Sequence, residues 1–163
     1  MRYVFAFTCF LLLSHFPAFS QNENIWEFVN WEMKLKQVQD SLHERQIDYS
    51  YSLNDGKGAF IKVSIADYQG WSVDFLFSMS SQLLYQISTK KKFAQTDVEK
   101  GEKELAKVSE YLRETWGAPL KEMEDKTAPF CQYEYVWGVG NTKITATYCK
   151  TSTISLSVVY LKK

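Results

Sequence analysis

The chain of 163 residues is short of the side chains from which most catalytic and metal sites are built. It has two histidines, and only His43 lies outside the N-terminal run of residues 1–20. Outside that run there are two cysteines, Cys131 and Cys149, too far apart for the C-x₂₋₄-C spacing of a zinc site or the C-x-x-C of a redox pair. His43 stands beside Asp40, Ser41 and Glu44, but adjacent helical positions face different ways and no nucleophile elbow exists, which excludes a triad. A phosphate loop is missing too: GVGN at 138–141 lacks a third glycine and a Lys-Ser/Thr, and β-rich runs flank it as they would a hairpin turn. LNDGKG is a turn and lacks the D-x-D-x-D-G of a calcium loop. Glu122, Glu124 and Asp125 lie between lysines in KEMEDK, which reads as a solvated connector and not as a pair of working carboxylates. No catalytic residue, cofactor or metal ligand is therefore assigned.

Charge of one sign is also lacking, since 19 Lys and Arg face 19 Asp and Glu. A nucleic-acid partner would require a clustered positive excess, so none is expected. No apolar run reaches the roughly 20 residues of a membrane-spanning helix, so no transmembrane segment is expected.

The opening MRYVFAFTCFLLLSHFPAFS has Arg2, an apolar run from Tyr3 to Leu13, and a small-x-small ending at Ala18 and Ser20. It predicts a secretory signal over residues 1–20, cut before Gln21, and export to the periplasm or outside the cell. A lipid anchor on Cys9 is rejected because Phe7 and Thr8 precede it inside the apolar run. Residues 21–163 make one domain, long enough to bury roughly 68–70% of the unfolded surface. Their net charge is −1, since the signal removes Arg2 and no acid.

Residues 21–30 read as a lead-in carrying Trp26 and Phe28. A helix fits WEMKLKQVQDSLHERQ, where Trp31, Leu35, Val38 and Leu42 recur at helical steps. From Tyr49 to Ile87 most apolar residues occupy odd positions and even positions hold mainly polar ones, broken at NDGKG, ADYQG and SMSSQ. That alternation predicts four antiparallel strands with one buried face. A second helix fits TDVEKGEKELAKVSEYLRETWG, with Val98, Leu105, Val108 and Leu112 as its stripe and Gly117 and Pro119 as its stop. Gly101 falls on that stripe. Beyond the connector KEMEDKTAP, three strands fit Phe130–Trp137, Thr142–Cys149 and Thr153–Leu161. The expectation is an α+β domain: a largely antiparallel sheet of about seven strands, two helices on one face, and tandem αβββ(β) units over 26–93 and 96–163.

The stretches FVNWEMKLKQVQDSL, YLRETWGAP and YVWGVGNTKITATYCKTSTISLSVVYL resemble small extracytoplasmic bacterial proteins of the β-lactamase-inhibitor-protein-like fold. Relatives of that architecture include the small lipoprotein of the outer-membrane β-barrel assembly machinery. The resemblance implies a sheet with helices on one face, used for binding proteins. It carries over no functional residue, because a lipobox and any recognisable partner-contact motif are missing.

An oxidising compartment and an even cysteine count outside the signal predict a disulfide between Cys131 and Cys149. A hairpin whose paired numbers sum to 280 sets the two cysteines directly opposite each other. Uniting Tyr133, Tyr135 and Trp137 with Ile144, Ala146 and Tyr148 on one face requires a sum of 281. Either a bulge shifts the register part-way, leaving the aromatics in the core, or the row Tyr133, Tyr135, Trp137 faces away and forms a binding surface. The favoured function is an exported, non-enzymatic interaction module whose partner is an envelope or secreted protein. The alternatives are a small-ligand binder using the sheet aromatics and an enzyme with an unobvious site.

Overall fold

The computed structural model describes residues 29–53, 60–68 and 70–163, the side chain of Tyr68 excepted. The expected signal, the lead-in with Trp26 and Phe28, and the turn at 54–58 lie outside those residues. Helix α1 (Leu35–Glu44) is followed by β1 (Ser50–Leu53), β2 (Phe60–Tyr68), β3 (Trp71–Ser78) and β4 (Leu84–Phe93). Helix α2 (Val98–Trp116) is followed by β5 (Lys121–Glu124), β6 (Cys131–Val139), β7 (Thr142–Lys150) and β8 (Ile154–Lys162). All strands join one antiparallel sheet in the order β1-β2-β3-β4-β8-β7-β6-β5, so the last strand of each set of four meets at the centre.

The sheet has eight strands where the sequence predicts seven, and the addition is β5, drawn from the connector KEMEDKTAP. Its alternation is of charges, with Met123 the only apolar residue, so hydrophobic periodicity carries no trace of it. Cross-strand chemistry holds it instead. Lys121 pairs with Glu134 at 2.6 Å, Glu122 accepts from Arg113 of α2 at 2.9 Å, and Glu124 accepts from the Tyr135 hydroxyl at 2.6 Å. Charges on an edge strand also discourage pairing with another chain.

Period-two alternation becomes an alternation of burial. Trp71, Val73, Phe75 and Phe77 of β3 are buried while their even neighbours are half-buried. The buried set joins Val38 and Leu42 of α1 and Leu105, Val108 and Leu112 of α2 in a single core. Each such Val, Leu or Phe contributes about 1.5–3 kcal/mol by leaving water. Gly101 explains how closely α2 approaches the sheet: a Cβ there would lie 3.0 Å from the Tyr148 ring and 3.2 Å from Ile154.

The first helix begins at Leu35, four residues later than its periodicity predicts. Residues 29–34 instead strap the end of the sheet. Trp31 Nε1 donates to Thr142 Oγ1 at 3.0 Å, Glu32 pairs with Lys162, and Lys34 bridges to Leu83. At the far end of α2, Gly117 at φ +77° closes the helix by donating its amide to the Arg113 carbonyl at 2.8 Å.

One ion pair ties α2 to the centre of the sheet. Lys91 Nζ lies 2.7 Å from Glu104 Oε1 with both side chains largely covered, and it sits near the Trp71 and Phe93 rings. Removing one partner strands the other charge in poor solvent, whereas an apolar residue of similar length in place of the lysine fills its space. Glu104→Gln is expected to cost about 2 kcal/mol, and Lys91→Met combined with Glu104→Leu less than about 1 kcal/mol. Denaturant midpoints of the two variants check this; equal losses would contradict it.

Candidate functional site

Both registers expected of the β6–β7 hairpin are present. Cys131 lies opposite Cys149, and from Tyr133 opposite Tyr148 to Val139 opposite Thr142 the pairing has moved by one residue. The shift falls at Gln132, a bulged and buried residue whose Nε2 donates to the Lys126 carbonyl at 2.8 Å. The disulfide forms, with its Cα atoms 3.8 Å apart, and the aromatics still turn towards the helices.

That bulge overturns the aromatic row as a binding surface. Tyr133, Tyr135 and Trp137 are 7%, 5% and 1% exposed, and all three belong to the core beneath α2. Trp137 Nε1 donates to the Gly117 carbonyl at 3.0 Å, and Tyr133 packs edge-on against Tyr148 with centroids 5.8 Å apart. A pure 280 register would have pointed this row outward. The extra residue in β6 rotates it back, because side chains alternate faces with period two.

What remains accessible is the other face of the sheet, away from both helices. One register row crosses all eight strands there: Ser50, Ser64, Asp74, Ser88, Val159, Thr145, Val136 and Lys121. The adjacent row contains Ser72, Lys90, Ser157, Thr147 and Glu134. The disulfide lies on this face as well, since Cys149 and Lys92 both pair with Ser155. Short hydroxyl side chains dominate the face, with half-buried Leu76, Val136, Val159 and Leu161 among them. Period two already separates these residues from the core in the sequence, but it reads them only as "solvent side"; that both described helices pack on the opposite face is a fact of topology.

The residues weighed for chemistry have structural roles. Glu122 is held by Arg113, and that hydrogen bond keeps its carboxyl below the usual range. Asp125 accepts from the Thr127 hydroxyl and amide, which lower it likewise. The His43 carbonyl caps the end of α1 by accepting from Gln46. Among the described residues, no three His, Cys, Asp or Glu side chains converge as a metal-holding group, and no helix is long and apolar enough to cross a membrane.

Two core tyrosines set an alkaline limit. Burial, followed by the Glu124 hydrogen bond, pushes the Tyr135 phenol well above its ordinary value, and burial does the same to Tyr160. A phenol whose folded value is raised stabilises the fold fully below the ordinary value near 10 and loses that contribution as pH climbs towards the folded value. Stability is therefore expected to fall from about pH 10 upward, tracked by the denaturant midpoint alongside tyrosinate absorbance. An unchanged midpoint over that range would contradict these placements.

No family model matches the chain, and neither a curated protein nor a solved structure matches it.

Proposed function

We propose that the protein is an exported, non-enzymatic interaction module that docks an envelope or secreted protein on the uncovered face of its sheet. The observation that carries this reading is the extent of that face. Eight strands of four to ten residues, at about 4.8 Å spacing and about 3.3 Å per residue, span roughly 1,000 Å². A stable protein interface needs about 800 Å² from each partner, so a flat partner could be held without any change in the fold. The resemblance to β-lactamase-inhibitor-protein-like proteins supports the same use of a sheet, and the Cys131–Cys149 disulfide fits an oxidising compartment. The aromatics named for the small-ligand alternative, Tyr133, Tyr135 and Trp137, lie in the core beneath the sheet.

The test is a cross-linked pull-down of the tagged protein from its source cells, with two bulky substitutions compared. Ser157→Trp raises an indole in the middle of the uncovered face, and Lys107→Trp does so on the solvent side of α2. A partner recovered with the parent chain is expected to vanish with Ser157→Trp and persist with Lys107→Trp. A partner retained by Ser157→Trp would refute the assignment of this face.

A further inference from the structure

The run Lys90-Lys91-Lys92 reads in sequence as a solvated or protected strand end. In the fold the run does lie near the end of a strand, β4, but that strand is no edge: it sits at the centre of the sheet, between β3 and β8. Alternation sends Lys91 to the helix side and to Glu104, and sends Lys90 and Lys92 to the uncovered face, where both side chains are exposed. Their cross-strand neighbours are Ser72, Ser157 and Ser155, and neither lysine has an acidic partner among the described residues. The paired residues of this face include three more lysines, Lys62, Lys121 and Lys143, against two carboxylates. Those carboxylates are already engaged, Asp74 with Lys62 at 3.0 Å and Glu134 with Lys121 at 2.6 Å. A chain with equal numbers of acids and bases thus places unpaired positive charge in the middle of the face of the sheet opposite the described helices.

Resting on the interaction reading above, we infer that the partner is a protein presenting acidic side chains, with carboxylates seated between Lys90 and Lys92 and on the Ser155 hydroxyl. The neighbouring hydroxyls of Ser72 and Ser157 are engaged with the Lys90 carbonyl at 3.2 Å and with Thr147 at 2.7 Å. Charge complementarity names the sign, and the hydroxyls name the kind of surface. Serine and threonine oxygens lie below the level of the lysine ammonium groups, so a ligand must insert single carboxylates between the lysines to accept from both. Asp and Glu side chains do this. A bilayer surface meets lysines at their tips and leaves the hydroxyls and half-buried Val159 wet. Isolated cations on a central strand steer an acidic partner and fix its register more than they add affinity, so binding will weaken with salt over a Debye length of about 8–10 Å.

The experiment is an amide-resolved NMR titration of the purified, oxidised protein with poly-L-glutamate at low ionic strength. Its controls are vesicles of phosphatidylglycerol in phosphatidylcholine and two charge-reversed variants. Shifts are expected to concentrate on Ser72, Lys90, Lys92, Ser155 and Ser157. Lys90→Glu with Lys92→Glu should weaken binding about tenfold, and Lys100→Glu with Lys103→Glu on α2 should leave it within about twofold. Equal weakening by both pairs, or no shifts at all, would overturn the inference. Vesicle binding that depends on Lys90 and Lys92, with poly-L-glutamate inert, would overturn it in favour of an anionic membrane surface. A partner that Ser157→Trp abolishes but Lys90→Glu with Lys92→Glu leaves bound would sink the acidic-partner inference alone. Loss of the interaction reading itself shows separately, as a partner that survives Ser157→Trp.

Discussion

Replacing Cys131 and Cys149 together by serine is expected to lower the unfolding free energy by about 3 kcal/mol and the melting temperature by roughly 10 °C. The size follows from the sequence separation of 18 residues, the stretch that the bond closes in the unfolded chain. Both cysteines are half-buried on the uncovered face, so serine there faces water and leaves no unsatisfied hydroxyl in the core. The loss should therefore come from the unfolded state, and the denaturant midpoint should fall with the m-value little changed or slightly larger. Reduction of the parent protein should reproduce it. A change under about 1 kcal/mol would mean that the β6–β7 hairpin and its bulge at Gln132 persist in the unfolded chain or that the bridge is strained.

Trp137→Ala is expected to cost about 4 kcal/mol, more than any single change on the uncovered face. Its side chain is 1% exposed, packs near Tyr135, and donates to the carbonyl that ends α2, so truncation opens a cavity and orphans an acceptor. Trp137→Phe keeps much of the volume and should lose about 1–2 kcal/mol, chiefly the hydrogen bond. Val159→Ala, on the opposite face, should cost less than about 1 kcal/mol. Equilibrium unfolding of the three variants checks the order. A stable Trp137→Ala that had lost its partner would restore the aromatic row as a binding surface and refute the bulge.

How the chain declares this fold differs from element to element. Strands β2 and β3 and helix α2 are legible because one face of each is apolar at its own period, and burial follows that period residue by residue in β3 and in β2 as far as Ile65. β5 is invisible because its stability comes from Arg113, Tyr135 and Glu134, which lie outside the segment. The late start of α1 reflects Trp31 and Glu32 preferring partners on β7 and β8 to another helical turn. The two hairpin registers each had a sound local reason, and only Gln132 reconciles them, since period-two reasoning assumes an uninterrupted pleat. For the same cause the candidate site moved from one face of the sheet to the other. The lysine run shows this limit again: Lys90, Lys91 and Lys92 are chemically alike, and position alone gives Lys91 a buried partner and the others a solvent face.

The central claim is that the uncovered face, and not the helical side, meets the partner. A photo-crosslinking amino acid placed at Ser157, and separately at Lys107, in the protein expressed in its own cells tests it most directly. The expected result is one discrete protein adduct from position 157 and none from position 107. An adduct from position 107 alone, or the same adduct from both, would contradict it.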